Sequence, residues 1–298
     1  MSVKTYFLET RPHFLILSVV LIFLSVSMAW YDGIFNLGDA LLTLLGLLLL
    51  HTSVNTLNDY SDYKSGIDFA TYRTPFSGGS GIITSGGLSA RKVFWFGMIS
   101  FLLAVPIGIY FLFSKGWFLL PLFIVGAVFV LFYTSHITKL GSGIAEISAG
   151  LGLGTLPVFG TYVILTSGFS LPALFASIPS GILVCNLLFL NEFPDVDADR
   201  KGGRKTLPFL LGKDKAAKVY SILTLTVYLW IVIGVGLRIM PVFTLIALFT
   251  LPAAFKAVKG AVSHKDMTEL VPALGANVMV ILLTQFLMGT GYILARII

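Results

Sequence analysis

Residues 41–62 read LLTLLGLLLLHTSVNTLNDYSD, an apolar run that passes into carboxylates with no proline or glycine between His51 and Asp62. A bilayer crossing takes about 20 mostly apolar residues, and the run from 38 to 58 meets that requirement. If the helix continues through the polar end, Asn55, Asn58, Asp59 and Asp62 fall at i, i+3, i+4 and i+7 and share one face. The same segment therefore predicts a membrane span and an acidic cluster at its end.

The rest of the chain follows the same pattern. Of 298 residues, 56% are hydrophobic and 11% charged, with a mean hydropathy of +0.93, outside the range of soluble domains. Cutting at charged and Gly/Pro-rich breaks gives about nine apolar segments, near 12–30, 38–58, 92–113, 117–135, 143–166, 171–193, 215–237, 240–257 and 271–296. No alternation of the kind a β-barrel needs is present. The expected fold is all-α, a polytopic membrane bundle of about nine transmembrane helices carrying two Asp-rich loops, with 1–298 as a single domain. The first apolar run follows Lys4 and Arg11 as a signal peptide would, yet no small-residue cleavage site follows it, so it reads as a retained helix. The net charge of +6 lacks the aromatic-interleaved basic patch of a nucleic-acid binder, and the lone Cys185 excludes a disulfide framework or a thiolate metal site.

All but Lys115, Arg238 and Arg296 of the 20 Lys and Arg lie at the N-terminus or in the loops after the even-numbered segments. The positive-inside rule places the N-terminus and those loops in the cytoplasm of a multi-pass cell-membrane protein. Seven of the 14 acids fall in two stretches on that side. The first holds Asp59, Asp62 and Asp68. The second, residues 191–205, reads NEFPDVDADRKGGRK, in which Asn191, Asp195 and Asp199 recur every four residues and Pro194 breaks the backbone. Facing carboxylates near a low-dielectric region repel one another unless a cation lies between them. Oxygen ligands of this kind suit Mg²⁺, which is held by a few carboxylates together with phosphate oxygens, so a diphosphate is the natural bridging ligand. Lys64, Arg73, Lys139, Arg200, Arg204 and Lys205 stand nearby to meet phosphate charge, although positive-inside topology alone accounts for bases at these positions.

Taken together, the motifs resemble those of the UbiA superfamily of intramembrane prenyltransferases. Asn58, Asp59 and Asp62 match its N-D-x2-D motif, and Asp195, Asp199 and Arg200 match its D-x3-D motif with the following Arg. Arg11-Pro12, Tyr133-Thr134 and Ser85-Gly86 extend the resemblance over nearly the whole chain. The first motif has Gly66 where the commonest form has an acid, with Asp68 beyond, and so resembles the menaquinone branch, the 1,4-dihydroxy-2-naphthoate polyprenyltransferases. Glu192-Phe193-Pro194 and Ser135-His136 depart from that branch.

The resemblance implies Mg²⁺-dependent transfer of a polyprenyl group from its diphosphate to an aromatic quinone precursor. It implies two Mg²⁺ ions held by Asn58, Asp62, Asp68, Asp195 and Asp199, and a diphosphate met by Arg73, Lys139, Arg200 and Lys205. Asp59 would orient the acceptor or accept its proton, Tyr133 would face the allylic cation, and membrane lipid would surround the prenyl tail. A glycerophosphate acceptor, as in archaeal ether-lipid synthesis, stays open. Outside the family, a cation-coupled secondary transporter is the rival, although its ionisable groups would sit near the midplane. A CDP-alcohol phosphotransferase is excluded because Tyr63-Lys64-Ser65-Gly66 follows Asp62. Glu146 is the one acid well inside a span and reads equally as a cavity group or a structural hydrogen bonder. His51 is expected to be a satisfied packing residue and His136 to lie at the edge. The glycines of segment 5, Gly141, Gly143, Gly150, Gly152 and Gly154, leave room for a tail or allow close helix packing.

Overall fold

A computed structural model gives the structure of residues 2–298, with the side chain of Met267 not described. Among the described residues every regular element is helical. A short α1 (Val3–Glu9) precedes α2 (Pro12–Tyr31), α3 (Leu37–Ser65), α4 (Ala90–Lys115) and α5 (Leu120–Phe132). Next come α6 (Ile144–Gly150), α7 (Leu156–Thr166), α8 (Leu171–Asn191), and the short α9 (Val196–Lys201) and α10 (Leu207–Leu211). The chain closes with α11 (Lys213–Gly236), α12 (Leu251–Ser263) and α13 (Met267–Ile297). A π-helical turn, Leu151–Thr155, joins α6 to α7 as one span, and a 3₁₀ stretch, Val242–Thr250, leads into α12.

Among the described residues eight helical stretches are long and apolar enough to cross a bilayer. The ninth expected segment, Trp117–Phe132, is helical but shorter, because the helix stops at Phe132 and the chain turns through residues 133–136. Leucines such as Leu41, Leu45, Leu102 and Leu103 are exposed on the outer faces. In lipid that exposure carries no hydrophobic cost, and helices satisfy every backbone group within themselves. On the face away from the acidic motifs Lys115 pairs with buried Asp39 at 2.6 Å, tying the start of α3 to the end of α4.

Local chemistry explains how the polar end is built. Arg11 takes a left-handed backbone conformation, φ 53° and ψ 64°, immediately before Pro12. The proline disfavours a right-handed helical residue before it, so the chain turns sharply between α1 and α2. α3 continues without interruption through Asn55, Asn58 and Asp62 and ends at the left-handed Gly66, as the i, i+4 spacing predicts. In the second motif α8 ends at Asn191, Pro194 lies in the following turn, and α9 begins at Val196. The glycines of the α6–α7 span and of the turn before it divide by role. A Cβ on Gly150 or Gly154 would stand 2.5 Å from Gly181 O or 2.6 Å from Ser180 O, so these two exist for close packing against α8. Gly141 and Gly143 are left-handed turn residues.

Candidate active site

α3 and the α8–α9 turn bring the two motifs together around one side chain, Arg204. Its guanidinium pairs with Asp62, lies 3.3 Å from Asp199 Oδ1, and donates at 3.4 Å to Asn58 Oδ1. Asn58 also donates to Asp62 Oδ2 at 3.1 Å and accepts from the Thr134 hydroxyl at 2.8 Å, which draws in the end of α5. The backbone delivers Arg204 here because its N–H bonds to Asp199 O at 2.9 Å. Arg204 thus fills, with a fixed cation, the position between the motifs that the sequence requires to be positive. Burial alone would lower its pKa, but Asp62 and Asp199 outweigh that and raise it.

Three motif carboxylates outside the spans, Asp68, Asp195 and Asp199, are shifted upward. Burial, with Asp199 adding, pushes Asp195 up to about 7, and burial pushes Asp199 up to about 6 against the pull of Arg204. Asp68 rises to about 6 through burial and then the charge of Asp62. Such a set holds excess negative charge under protest, which a bound cation relieves. Asp195 Oδ1 is buried with no hydrogen-bond partner. Among the described residues no three acid, His or Cys side chains converge as a ready-made metal cage. The all-oxygen donor set, with one orphaned carboxylate oxygen, fits Mg²⁺ completed by substrate oxygens and water.

Beside this centre lies a second network that the sequence does not announce. Asp59 is 1% exposed, pairs with Arg11, and accepts the Ser80 N–H at 3.0 Å. Ser80 Oγ donates to Glu9 Oε2 at 2.8 Å, and burial pushes Glu9 up to about 7. Asp59 therefore faces the α1–α2 turn, not Asp62 and Asp199. Gly79, with φ +73°, sits where a Cβ would meet Asp68 Oδ1 at 3.0 Å, Arg11 Nη2 at 3.2 Å and Asp59 Oδ1 at 3.3 Å. Only glycine lets the loop lie over these three groups.

The expected phosphate bases differ in placement. Arg73 folds back on its own loop, donating to Gly78 O at 3.1 Å, Asp68 O at 3.3 Å and Thr84 Oγ1 at 2.7 Å. Lys139 and Lys205 are exposed, and the Lys205 N–H bonds to Thr138 O at 3.1 Å, which brings their two segments together. Arg200 is exposed over the Phe209 ring, 5.7 Å from its centroid, so Arg204 and not Arg200 joins the acids. Glu146 is a structural acceptor: Oε1 takes the Leu207 N–H at 2.5 Å, and the buried Glu192 lies beside it. His51 accepts or donates at 2.9 Å to Ser18, as expected of a packing residue, and His136 is exposed.

The polar centre opens onto an apolar cavity of about 600 Å³. Arg11, Asn55, Asn58, Tyr133 and Asn191 line its polar end, and Phe111, Leu112, Leu120 and Ile164 lie toward the opposite end of their helices. The Tyr133 hydroxyl and Asn191 Oδ1 are buried there without partners. Val105 and Ile109 of α4 and Ile124 of α5 line the cavity and are also exposed, so it opens sideways between these two helices.

Known proteins share this sequence pattern and fold. A 1,4-dihydroxy-2-naphthoate octaprenyltransferase of Bacillus subtilis is 26% identical over 287 residues, 96% of this chain and 91% of that protein. A digeranylgeranylglyceryl phosphate synthase of Pyrococcus abyssi is 26% identical over 263 residues, 87% of this chain and 88% of that one. In fold, a UbiA homolog from Archaeoglobus fulgidus bound to GPP and Mg²⁺ superposes with a TM-score of 0.65 at 14% identity, covering 95% of this chain and 99% of that one. Residues 18–287, from within α2 to within α13, match the UbiA prenyltransferase family, and this chain, an integral membrane prenyltransferase, belongs to it.

Proposed function

We propose that the chain transfers a polyprenyl group from polyprenyl diphosphate to 1,4-dihydroxy-2-naphthoate, the acceptor step of menaquinone biosynthesis, at the cytoplasmic face of the cell membrane. The observation that carries this reading is the meeting of both acidic motifs around Arg204 at the polar end of an apolar cavity. Similarity to the Bacillus naphthoate enzyme, which extends over more of the chain than similarity to the Pyrococcus synthase, supports the acceptor. The clustering of acids at one end of the cavity argues against a transporter with midplane ion sites.

In this reading Asp62, Asp68, Asp195, Asp199 and the Asn58 carbonyl oxygen would hold two Mg²⁺ ions. The chemistry Mg²⁺ supplies when bound is stabilisation of charge on the departing diphosphate. Arg204 and, from the exposed rim, Lys139 and Lys205 meet the remaining phosphate oxygens, while Arg73 holds the loop beside Asp68. The C1–O bond of the donor breaks, diphosphate leaves with the bonding electrons, the acceptor ring forms a new bond to C1, and the attacked ring carbon gives up its proton to the departed diphosphate. The cavity keeps water from the cationic carbon, and the Tyr133 ring at its polar end lies where a π face favours positive charge. Arg11, which lines the cavity and is already paired with Asp59, is placed to attract the acceptor carboxylate. With both oxygens engaged, Asp59 positions Arg11 and does not take the proton.

The test is prenyl transfer by purified protein in detergent with geranylgeranyl diphosphate, Mg²⁺ and a panel containing 1,4-dihydroxy-2-naphthoate, 4-hydroxybenzoate and geranylgeranylglyceryl phosphate. Transfer to the naphthoate alone, dependent on Mg²⁺ and lost in Asp62→Ala and Asp195→Ala, is the expected result. Transfer to the glycerophosphate instead would reassign the acceptor.

A further inference from the structure

Glycines in the interior of a helix weaken it relative to alanine, so each needs a reason. For most helical glycines here the reason is contact. A Cβ on Gly97 would stand 2.6 Å from Thr56 Oγ1, one on Gly234 2.6 Å from Met240 Sδ, and one on Gly291 2.6 Å from Phe243 O. Gly126 and Gly160 differ. A Cβ on Gly126 would meet only Leu156 Cδ2, at 3.7 Å, and one on Gly160 would meet nothing within 4 Å. Both residues line the cavity that ends at the buried, unpartnered Tyr133 hydroxyl. Neither glycine is demanded by packing or by a left-handed backbone, so what each supplies is cavity volume.

Their depths differ. Gly126 precedes Tyr133 by about two helical turns, roughly 10 Å from the polar end at 1.5 Å per residue. Gly160 lies on the continuous span that starts near Glu146, about 21 Å along its axis from that residue. One stands near the reacting end and the other at the far end.

We propose that Gly160, with Gly126 nearer the polar end, determines which prenyl chain lengths the enzyme accepts, by leaving the deep part of the cavity open to the distal isoprene units. This rests on the transferase reading above. A side chain grown from position 160 excludes long donors first. A side chain grown from position 126 excludes shorter ones as well.

The test measures diphosphate release and product formation by wild-type protein, Gly160→Ala, Gly160→Leu and Gly126→Leu, using geranyl, farnesyl, geranylgeranyl and octaprenyl diphosphates. Gly160→Leu is expected to lower the ratio of octaprenyl to geranyl turnover at least about tenfold, since a filled apolar pocket discriminates by steps of that size. Gly126→Leu is expected to extend the loss to geranylgeranyl and farnesyl donors. Gly160→Ala, whose added carbon meets nothing within 4 Å, is the folding control and is expected to melt no lower than wild type. If Gly160→Leu is folded and its donor ratio equals that of wild type, the tail leaves through the gap between α4 and α5 and the proposal is overturned. If wild-type protein releases no diphosphate from any donor, the transferase reading itself fails, and the chain-length role fails with it.

Discussion

Replacing Arg204 by Met removes the charge that lies between the two motifs while keeping much of the apolar bulk. Arg204 is 15% exposed, and its partners Asp62 and Asp199 are 8% and 2% exposed in their side chains. Removing one partner from a buried ion pair costs about 3–5 kcal/mol, mostly because the other charge is left uncompensated. For a chain of this size each kcal/mol moves the melting temperature by roughly 2–4 °C, so Arg204→Met should melt roughly 6–20 °C below wild type without divalent cation. Mg²⁺ together with inorganic diphosphate should then rescue the variant more than it stabilises wild type, since the freed carboxylates offer the incoming cation what they gave the guanidinium. At 100 times its dissociation constant a ligand returns about 2.7 kcal/mol, a large part of the loss. The assay is thermal unfolding in detergent with and without Mg²⁺ and diphosphate, with Arg204→Lys as a charge-preserving control that loses the planar fork. An equal loss in melting temperature under both conditions would refute the idea that the guanidinium and the divalent cation answer the same carboxylates.

Two other measurements bear on the same geometry. Asp195, at about 7, and Asp68 and Asp199, at about 6, all lie above the ordinary 3.8, so their charged forms are disfavoured in the fold. Their favourable contribution is complete below 3.8 and is lost as pH rises toward 7, so protein in chelator should melt lower at pH 7.5 than at pH 5, with Mg²⁺ protection growing over that window; a melting temperature that climbs steadily with pH in chelator would contradict this. Gly154→Ala, whose Cβ would stand 2.6 Å from Ser180 O, should lose about 1–3 kcal/mol by overpacking, and an unchanged melting temperature would mean the π-helical turn can move off α8 freely.

How much of this the sequence carried depends on the range over which each feature is determined. Spans and their order are local properties of apolar runs, and the i, i+4 spacing of Asn58 and Asp62 fixes their shared face before any tertiary contact forms. The short α5 escaped because the apolar run continues to residue 132 and then turns at Tyr133, where nothing in composition marks the helix end. Arg204 was one base among several, since positive-inside topology supplies bases to every such loop, and only the bond from its backbone to Asp199 turns it inward. Arg200, directly after the motif, points to Phe209 because it sits one residue further around α9 than Asp199. Glu9 had no motif at all, and its partner Ser80 is 71 residues away.

The charge balance at the cavity mouth connects these networks. Six carboxylates gather there, from Glu9, Asp59, Asp62, Asp68, Asp195 and Asp199, while Arg11 and Arg204 are the guanidiniums that pair with them. Counting these eight groups alone, the excess when all are ionised is four negative charges, a field that favours a divalent cation. Burial first, and repulsion among these carboxylates after it, raises Asp68, Asp195 and Asp199. A bound divalent cation would relieve that repulsion without protons. Diphosphate would then enter as the next negative charge, and the exposed Lys139 and Lys205 stand at the rim to receive it. On the proposed reading the electrostatics would favour one order: carboxylates attract the divalent cation first, and the cation with the rim bases then attracts the diphosphate.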